Sequence, residues 1–277
     1  MDQNIINFFY YMYRFLIILF ILLISTNAYS FEKKIILAST TSTYDSGLLT
    51  YLNNKFKDRY NIQVQVLALG TGQALRIAKD GNVEVIMVHH KESELEFMNQ
   101  GYGLFRYDLM LNDYIIVGPK SDNKNCDNLN NKLKFIFLNK LKFISRADDS
   151  GTHKKELELW NSINLKPLDF SSNYLKVGQG MGNTLLITNE LKAYTLTDRS
   201  TWISFNQKDN LRIICEFKPP LLNQYGIIIV NPLINNTLDV ESAKLYVNWL
   251  ISEEGKKLIN SFKKKGQQLF YFNYKEF

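Results

Sequence analysis

The sequence predicts an α/β protein built from two lobes with a cleft between them. Short apolar strands alternate with helix-like segments over residues 35–99, which is typical of a parallel sheet covered on both faces. Two long extended runs, residues 105–118 and 224–231, lie where the chain would pass into a second α/β unit and return. Two such crossover strands define a pair of lobes that close on each other by a hinge motion.

The first lobe is predicted as a βαβαβ unit followed by a helix. Its strands are rich in branched residues, and Leu48, Leu52 and Phe56 share one face of the first helix at three- and four-residue spacing. The predicted strands are residues 35–38, 64–69 and 83–89, and the predicted helices are residues 43–58, 72–79 and 91–99.

The second lobe repeats this alternation with less regular spacing. A polar stretch rich in Asn and Asp, residues 120–132, predicts a surface loop. The predicted strands that follow are residues 138–144, 174–177, 193–203 and 211–217, and predicted helices begin near residues 154 and 184. An apolar stripe predicts a final helix over residues 239–262 that packs on the first sheet. The resulting boundaries are residues 31–112 with 225–277 for lobe 1 and residues 113–224 for lobe 2.

The N-terminus, residues 1–30, reads as a signal peptide. An apolar run at residues 15–24 follows Arg14, and the small residues Ala28 and Ser30 occupy cleavage positions. This pattern predicts cleavage after Ser30 and a periplasmic protein, and the alternative is an uncleaved membrane anchor.

Cysteine content and charge limit the classes of protein further. The only cysteines are Cys126 and Cys215, so the lipid-anchoring cysteine of secreted lipoproteins is missing, and whether these two pair stays open. The net charge of +6 favours attraction of anions at long range. No nucleic-acid-binding module is recognised, so nucleic acid is not an expected partner.

Three strand-to-helix junctions carry hydroxyl side chains. Residues 39–43 are five consecutive Ser or Thr residues, Thr71 follows the second strand between two glycines, and Arg146 precedes Ser150 and Thr152 at the third junction. Backbone N–H groups are unpaired at a helix N-terminus, and arginine and hydroxyls add further donors. Open α/β sheets bind ligands at the carboxyl ends of their strands, which favours one shared anion site over ordinary caps and turns.

The chain resembles the substrate-binding proteins of tungstate ABC importers, a branch of the periplasmic oxyanion-binding proteins. The matching stretches follow one order over most of the chain, and they are residues 37–49, 70–75, 112–120, 145–155, 178–182 and 193–199.

The resemblance implies a two-lobed periplasmic binding protein clamshell of the type II kind, with two crossover strands between the lobes. It implies a monomeric, periplasmic protein that captures tungstate and delivers it to the membrane permease of an ABC importer, with no catalytic residue, no metal site and no cofactor besides the bound tungstate or molybdate. The ligand-binding residues that we expect from the motifs are Ser39, Thr40, Thr41, Ser42, Thr71, Arg146, Ser150, Gly151 and Thr152.

Three positions near these motifs carry further expectations. The family commonly has Gly where this chain has Ala147, and we expect Ala147 not to adopt a positive φ angle. Asp148 and Asp149 would repel a deprotonated oxyanion, so we expect both carboxylates to point away from it. Asp148 would then brace Arg146, and Asp149 would serve the helix N-terminus.

The sequence is also compatible with other functions. Molybdate or a sulfate- or phosphate-like oxyanion could replace tungstate, and a bulkier organic anion is a further class of ligand. An exported hydrolase that uses Asp148 and Asp149 is weaker, because neighbouring residues seldom form a catalytic pair. A metal site at His89 and His90 is not expected, because adjacent strand residues face opposite sides. The glycines at residues 178–182 are either a helix cap or a nest of N–H donors.

Overall fold

Most of the residues that the structure describes follow the predicted signal peptide. The computed structural model describes residues 7, 10–15, 33–123, 126, 128–167, 172–217 and 221–275. The signal peptide predicted at residues 1–30 lies outside this part apart from residue 7 and residues 10–15, which are helical and exposed. Within the described ranges, none of the helices has the length and apolar character needed to cross a bilayer.

A parallel sheet forms the centre of the first lobe, as predicted. Its strands are β1 (Lys33–Thr40), β2 (Ile62–Leu69) and β3 (Val85–Val88). β1 lies between β2 and β3 and is parallel to both, so that Leu37 faces Val66 on one side and Val85 on the other. The helices that follow these strands are α1 (Thr41–Asp45), α2 (Leu48–Tyr60), α3 (Thr71–Lys79) and α4 (Lys91–Asn99). The carboxyl ends of the three strands therefore meet at one edge of the sheet.

Two long strands connect the lobes. β4 (Gly103–Pro119) and β9 (Leu221–Val230) are antiparallel, and β9 also lies antiparallel beside β3. Asn112 is opposite Asn223 in this ladder, and the side-chain amide of Asn223 donates to Asn112 Oδ1 at 2.8 Å. β4 stays paired with β9 as far as Tyr114, and from Tyr114 onward it pairs with strands of the second lobe.

The second lobe has its own sheet strands and its own core. Its elements are α5 (Leu129–Leu138), β5 (Phe143–Ser145), α6 (Gly151–Ser162), β6 (Tyr174–Lys176), α7 (Met181–Glu190), β7 (Thr195–Asp198), α8 (Arg199–Ser204) and β8 (Leu211–Cys215). β7 and β8 pair antiparallel with the end of β4, and β5 is parallel to β6. Trp160, Phe143 and Tyr194 are buried together in a core separate from that of the first lobe.

A disulfide joins Cys126 to Cys215, which the sequence left open. Their Cα atoms are 5.2 Å apart, within the normal range for a bridge. Cys215 ends β8 and is fully buried, so the bond ties residue 126, which precedes α5, to the sheet of the second lobe.

The C-terminal segment returns to the first lobe. It contains α9 (Val240–Ile251), α10 (Glu253–Ser261), β10 (Lys263–Lys264), β11 (Gln267–Gln268) and β12 (Tyr271–Phe272). β12 pairs with β4, which completes the strand order β12-β4-β9-β3-β1-β2. Val247 and Leu250 of α9 are fully buried in the same cluster as Leu37 and Leu52, as the apolar stripe predicts.

Two predicted helices are each interrupted. The helix expected over residues 43–58 is two helices, because Gly47 adopts a φ of +88° that ends the first and starts the second. The helix expected over residues 239–262 breaks at Ser252, whose side chain caps α10 by accepting from the Gly255 N–H. In both cases a local cap interrupts an apolar periodicity that continues past it.

Two predictions in the second lobe were also wrong in part. The polar stretch expected to be a loop over residues 120–132 ends in a helix, which starts at Leu129 because Asn128 accepts from the N–H groups of its first turn. The strand expected over residues 193–203 becomes α8 after Asp198, whose carboxylate accepts from the Thr201 N–H at 2.9 Å. N-cap residues of this kind are a stronger local signal than apolar content.

Candidate functional site

The first hydroxyl cluster lies at the carboxyl end of β1 and in α1. Thr40 is the N-cap of α1, and its Oγ1 lies 3.2 Å from Ser42 Oγ and 2.7 Å from Thr43 Oγ1. Ser39 differs from its neighbours, because its hydroxyl donates to the Met87 carbonyl at 2.8 Å. The proton of Ser39 is therefore committed to β3, and direct donation to a ligand would require this bond to break.

Thr41 is the member of this cluster with spare hydrogen-bonding capacity. Its Oγ1 is buried and has no partner among the described residues. A Cβ added at Gly180, the N-cap of α7, would lie 3.5 Å from this Oγ1. The glycine cluster of the second lobe therefore brings the N-terminus of α7 next to α1 of the first lobe.

The second and third junctions meet across the cleft. The Gly151 N–H donates to Thr71 Oγ1 at 3.2 Å, and the Gly72 N–H donates to the Asp149 carbonyl at 3.2 Å. A Cβ added at residue 72 would lie only 1.7 Å from Asp149 Oδ2, so a larger residue there would displace the carboxylate of Asp149. The N-termini of α3 and α6 consequently face each other, an arrangement of two partial positive charges that an anion would stabilise.

The start of α6 presents two hydroxyls with different roles. Ser150 is the N-cap, and its Oγ accepts from the His153 N–H at 3.2 Å, which leaves its own proton available to a ligand. Thr152 Oγ1 is buried and has no partner among the described residues. Gly151 lies against His89, since an added Cβ would be 2.6 Å from its Nδ1.

Arg146 is a buried cation whose hydrogen-bond donors are only partly engaged. Its side chain is 3% exposed, and its Nε and Nη2 donate to Asp148 Oδ2 at 3.1 and 2.6 Å. Nη1 is buried without a partner in the described part of the chain. Asp148 Oδ1 accepts from the Ser150 N–H at 3.3 Å, so one carboxylate holds both the guanidinium and the start of α6. Asp148 therefore braces Arg146, as predicted.

Asp149 faces the rim of the site. Its side chain is 49% exposed and pairs with Lys154 Nζ at 3.0 Å and Arg76 Nη1 at 3.3 Å. Partial burial acts to raise the pKa of Asp149, but Lys154 and Arg76 outweigh it and lower the pKa. Because Arg76 is on α3, this carboxylate links the two lobes. Ser150, and not Asp149, is the N-cap of α6, so the expected role of Asp149 at that helix N-terminus was wrong.

The loop that carries these residues has an unexpected backbone. Ala147 has a φ of +47° and Asp149 a φ of +58°, both in the left-handed region. The expectation that Ala147 would avoid a positive φ was therefore wrong. The hydrogen bonds of Arg146 and Ser150 to Asp148 hold the loop on both sides of these residues, and they impose a conformation that an alanine adopts at some cost.

Sequence reasoning missed a buried polar network beneath the site. His89 is 4% exposed, its Nδ1 lies 3.1 Å from the Tyr114 hydroxyl, and its ring centroid lies 4.9 Å from that of Tyr225. Burial lowers the pKa of His89 to about 4, so the ring is neutral near pH 7. Asp198 is fully buried and accepts from Asn112 on the crossover strand at 3.4 Å. Its position at the end of β7 is the only signal that the sequence offers.

A second buried acid lies below the third junction. Glu156 of α6 is 3% exposed and accepts from the Tyr174 hydroxyl at 2.5 Å. Burial raises the pKa of Glu156 to about 7, and the charge of Asp148 acts in the same direction. Near neutral pH this carboxyl is therefore partly protonated, which limits the negative charge next to Arg146.

Three donors at these junctions have no protein partner. Thr41 Oγ1, Arg146 Nη1 and Thr152 Oγ1 are all buried polar atoms without a partner in the described ranges, and each carries a proton to donate. Buried donors are almost always paired in folded proteins, so three at the strand-to-helix junctions indicate a ligand rich in acceptors. The carboxylate of Asp148 is already engaged on both oxygens.

Two α/β lobes that bring helix N-termini and a buried arginine together define a solute-binding protein of the periplasmic type. The chain belongs to the PBP superfamily, whose domain model matches residues 25–254. It is 45% identical over 246 residues to the tungstate-binding protein TupA of Peptoclostridium acidaminophilum, which covers 86% of this chain and 85% of that protein.

Solved structures agree with this placement. The tungstate-binding protein TupA from Desulfovibrio alaskensis G20 matches with a TM-score of 0.75 and 35% identity, covering 88% of this chain and 100% of that one. The tungstate ABC transporter structure from Geobacter sulfurreducens matches with a TM-score of 0.76 and 39% identity, covering 83% of this chain and 99% of that one. The predicted two-lobed α/β fold is thereby confirmed.

Proposed function

We propose that this protein binds tungstate in the periplasm and delivers it to the membrane permease of an ABC importer. The observation that carries the proposal is the buried Arg146, whose Nη1 has no partner among the described residues. Relatives with 45% and 36% identity are named tungstate-binding proteins, and they support the same ligand.

The donor set explains why a fully deprotonated oxyanion suits this cleft. Tungstate has four acceptor oxygens and carries no proton near neutral pH. Thr41, Thr71, Ser150 and Thr152 can each donate a hydroxyl proton, and Arg146 supplies one positive charge. No cofactor is required, because the helix termini and the guanidinium compensate the charge of the ligand.

The same geometry disfavours phosphate. A phosphate that carries a proton needs an acceptor in the site. Asp148 is the nearest candidate in sequence, but its Oδ2 accepts from Arg146 and its Oδ1 from the Ser150 N–H. A protonated oxyanion would leave a buried donor unpaired, and that penalty is about 1–3 kcal/mol.

Titration of the purified chain with an oxyanion panel tests the proposal. We expect one tungstate per chain by isothermal calorimetry, and binding of phosphate weaker by roughly 5- to 150-fold, as the unpaired-donor penalty requires. Molybdate is the matched comparison ligand, since its size and charge are nearly those of tungstate. Preference for phosphate or sulfate, or turnover of generic ester and phosphoester substrates, would contradict the proposal.

The delivery step needs a separate test in cells. Deletion of the gene that encodes this protein should abolish high-affinity tungstate uptake while an intact permease remains in the membrane. Restored uptake on re-expression is the positive control. Uptake that is unchanged by the deletion would contradict a role in import, even if the purified chain binds tungstate. Gel filtration of the loaded protein tests our expectation that it is a monomer.

A further inference from the structure

Three potential metal ligands meet at the rim of the cleft, away from the hydroxyl cluster. His90, Glu92 and Glu158 each offer one ligand atom, and these atoms all lie within 4.8 Å of one another. His90 Nε2 is 3.2 Å from Glu158 Oε1. His90 and Glu92 belong to the start of α4 in the first lobe, whereas Glu158 belongs to α6 in the second.

The second nitrogen of His90 has a suitable partner. Its Nδ1 lies 2.8 Å from Ser93 Oγ and 3.2 Å from the Ser93 N–H. Nδ1 accepts from the Ser93 N–H as the N-cap of α4, so a metal ion at Nε2 requires the ring proton to move to Nδ1, where Ser93 Oγ accepts it in place of that cap. Histidine ligands in proteins are usually oriented by a hydrogen bond of this kind.

The three side chains can be reached from solvent, although His90 is largely buried. The side chain of His90 is 13% exposed and that of Glu158 is 39% exposed. Both line a cavity of about 140 Å³ together with Glu92, Gly151 and Lys155. This volume is sufficient for a metal ion with one bound water, which would complete four-coordinate geometry around three protein ligands.

We propose that His90, Glu92 and Glu158 bind a divalent transition-metal ion of the zinc type, and that the ion links the two lobes. One imidazole with two carboxylates is a ligand set that suits Zn²⁺ better than Mg²⁺ or Ca²⁺. A sequence search for ligand spacing could not find this site, because Glu158 is 66 residues or more from its partners and joins them only when the lobes meet.

Neighbouring lysines tune the affinity of this site. Lys155 Nζ forms an ion pair with Glu158 Oε2, and Lys91 Nζ lies 3.5 Å from Asp108 Oδ2. Glu158 Oε1 still faces His90, so a metal can bind while the lysine pair persists, although the two cations repel each other. Replacing Lys155 by Gln should therefore strengthen metal binding, whereas a purely structural ion-pair cluster would gain nothing.

The primary test is calorimetric titration of the full chain with ZnCl2, purified without a polyhistidine tag and without tungstate. We expect one zinc ion per chain. Glu158→Gln keeps the side-chain shape, and His90→Asn keeps an N-cap acceptor for α4, yet each should weaken zinc binding at least about tenfold. Glu241→Gln is the matched control, because Glu241 also pairs with a lysine three residues away but is 82% exposed.

The outcomes separate this site from the proposed function. Absence of zinc binding, or equal affinity in Glu158→Gln, His90→Asn and Glu241→Gln, would overturn the metal site and leave oxyanion binding untouched. Tighter zinc binding by Lys155→Gln would support it. If the ion links the lobes, saturating tungstate should tighten zinc binding, and zinc should tighten tungstate binding by the same factor, because coupling between two sites is reciprocal. Unchanged affinities in both directions would rule out the link.

Discussion

Replacement of Arg146 is the most direct test of the oxyanion site. The guanidinium is 3% exposed, and two of its nitrogens are held by Asp148 while Nη1 has no partner among the described residues. Arg146→Ala removes both the charge and that donor. Arg146→Lys keeps the charge, but a single ammonium cannot reproduce the planar fork that contacts Asp148 and a ligand at once.

The size of the effect follows from the type of contact that is lost. A hydrogen bond from a charged donor contributes about 1.5–3 kcal/mol, which corresponds to an increase in Kd of roughly 10- to 150-fold. We therefore expect a loss of this size in Arg146→Ala and a loss near the lower limit in Arg146→Lys. Arg59→Ala makes the same change in net charge at a side chain that is 55% exposed, and it should change Kd by less than about twofold.

Calorimetric titration with tungstate measures these constants, and thermal unfolding reports whether each variant is folded. Arg146→Ala also leaves Asp148 without its cation, so repulsion between that carboxylate and the anion would add to the loss. The double variant Arg146→Ala with Asp148→Ala removes the repulsion and should recover part of the affinity. An unchanged Kd in folded Arg146→Ala would exclude Arg146 from the site.

Three further predictions concern the stability of the surrounding structure. Ala147→Gly relieves a φ of +47° and should raise the free energy of unfolding by about 0.5–1 kcal/mol in urea titrations, after the entropy of glycine is included. The control Ala78→Gly, in the middle of a helix, should lower the free energy of unfolding. A lower free energy of unfolding in Ala147→Gly would contradict the strain. Removal of the disulfide by replacing Cys126 and Cys215 with Ala, which opens a loop of 89 residues, should destabilise the protein by about 4 kcal/mol, and an unchanged melting temperature under reducing conditions would argue against the bond. Burial raises the folded-state pKa of Glu156 from 4.5 to about 7, so the stability from its protonated form is complete below pH 4.5 and is lost as the pH rises through 7. As the pH rises from 4.5 to 8, the free energy of unfolding of Glu156→Gln should therefore increase by on the order of 3 kcal/mol relative to that of the parent protein. Parallel plots of unfolding free energy against pH for the two proteins would show that the pKa of Glu156 is not perturbed.

The sequence predicted the parts of the fold that depend on local pattern. The alternation of strands and helices over residues 35–99 places β1, β2 and β3 in one parallel sheet, and parallel strands end at a common edge. The strand pattern alone therefore predicts that the hydroxyl groups following each strand lie near one another. The meeting of Thr71 with Gly151 across the cleft is a consequence of this topology.

Side-chain direction within those motifs was not predictable in the same way. Ser39 and Thr41 are both hydroxyl residues at the end of β1, yet one donates to the Met87 carbonyl and the other has no partner in the described part of the chain. The difference arises because Ser39 is still in the β1 ladder, where its neighbour β3 provides an acceptor. Thr41 is already in α1 and faces the second lobe. Only the packing of distant elements decides between these roles.

The backbone of the third junction shows how the two kinds of information combine. Sequence preference alone argues against a positive φ at Ala147, because the left-handed region costs a residue with a Cβ about 1–2 kcal/mol. The contacts of Asp148 with Arg146 and with the Ser150 N–H offset this cost, and they fix the guanidinium before any ligand arrives. A donor that is already immobile loses little entropy on binding, so more of the contact energy appears as affinity. The contacts of Asp148 thus both impose the strain at Ala147 and orient Arg146. Relieving the strain at Ala147 without disturbing Asp148 should therefore leave tungstate affinity unchanged.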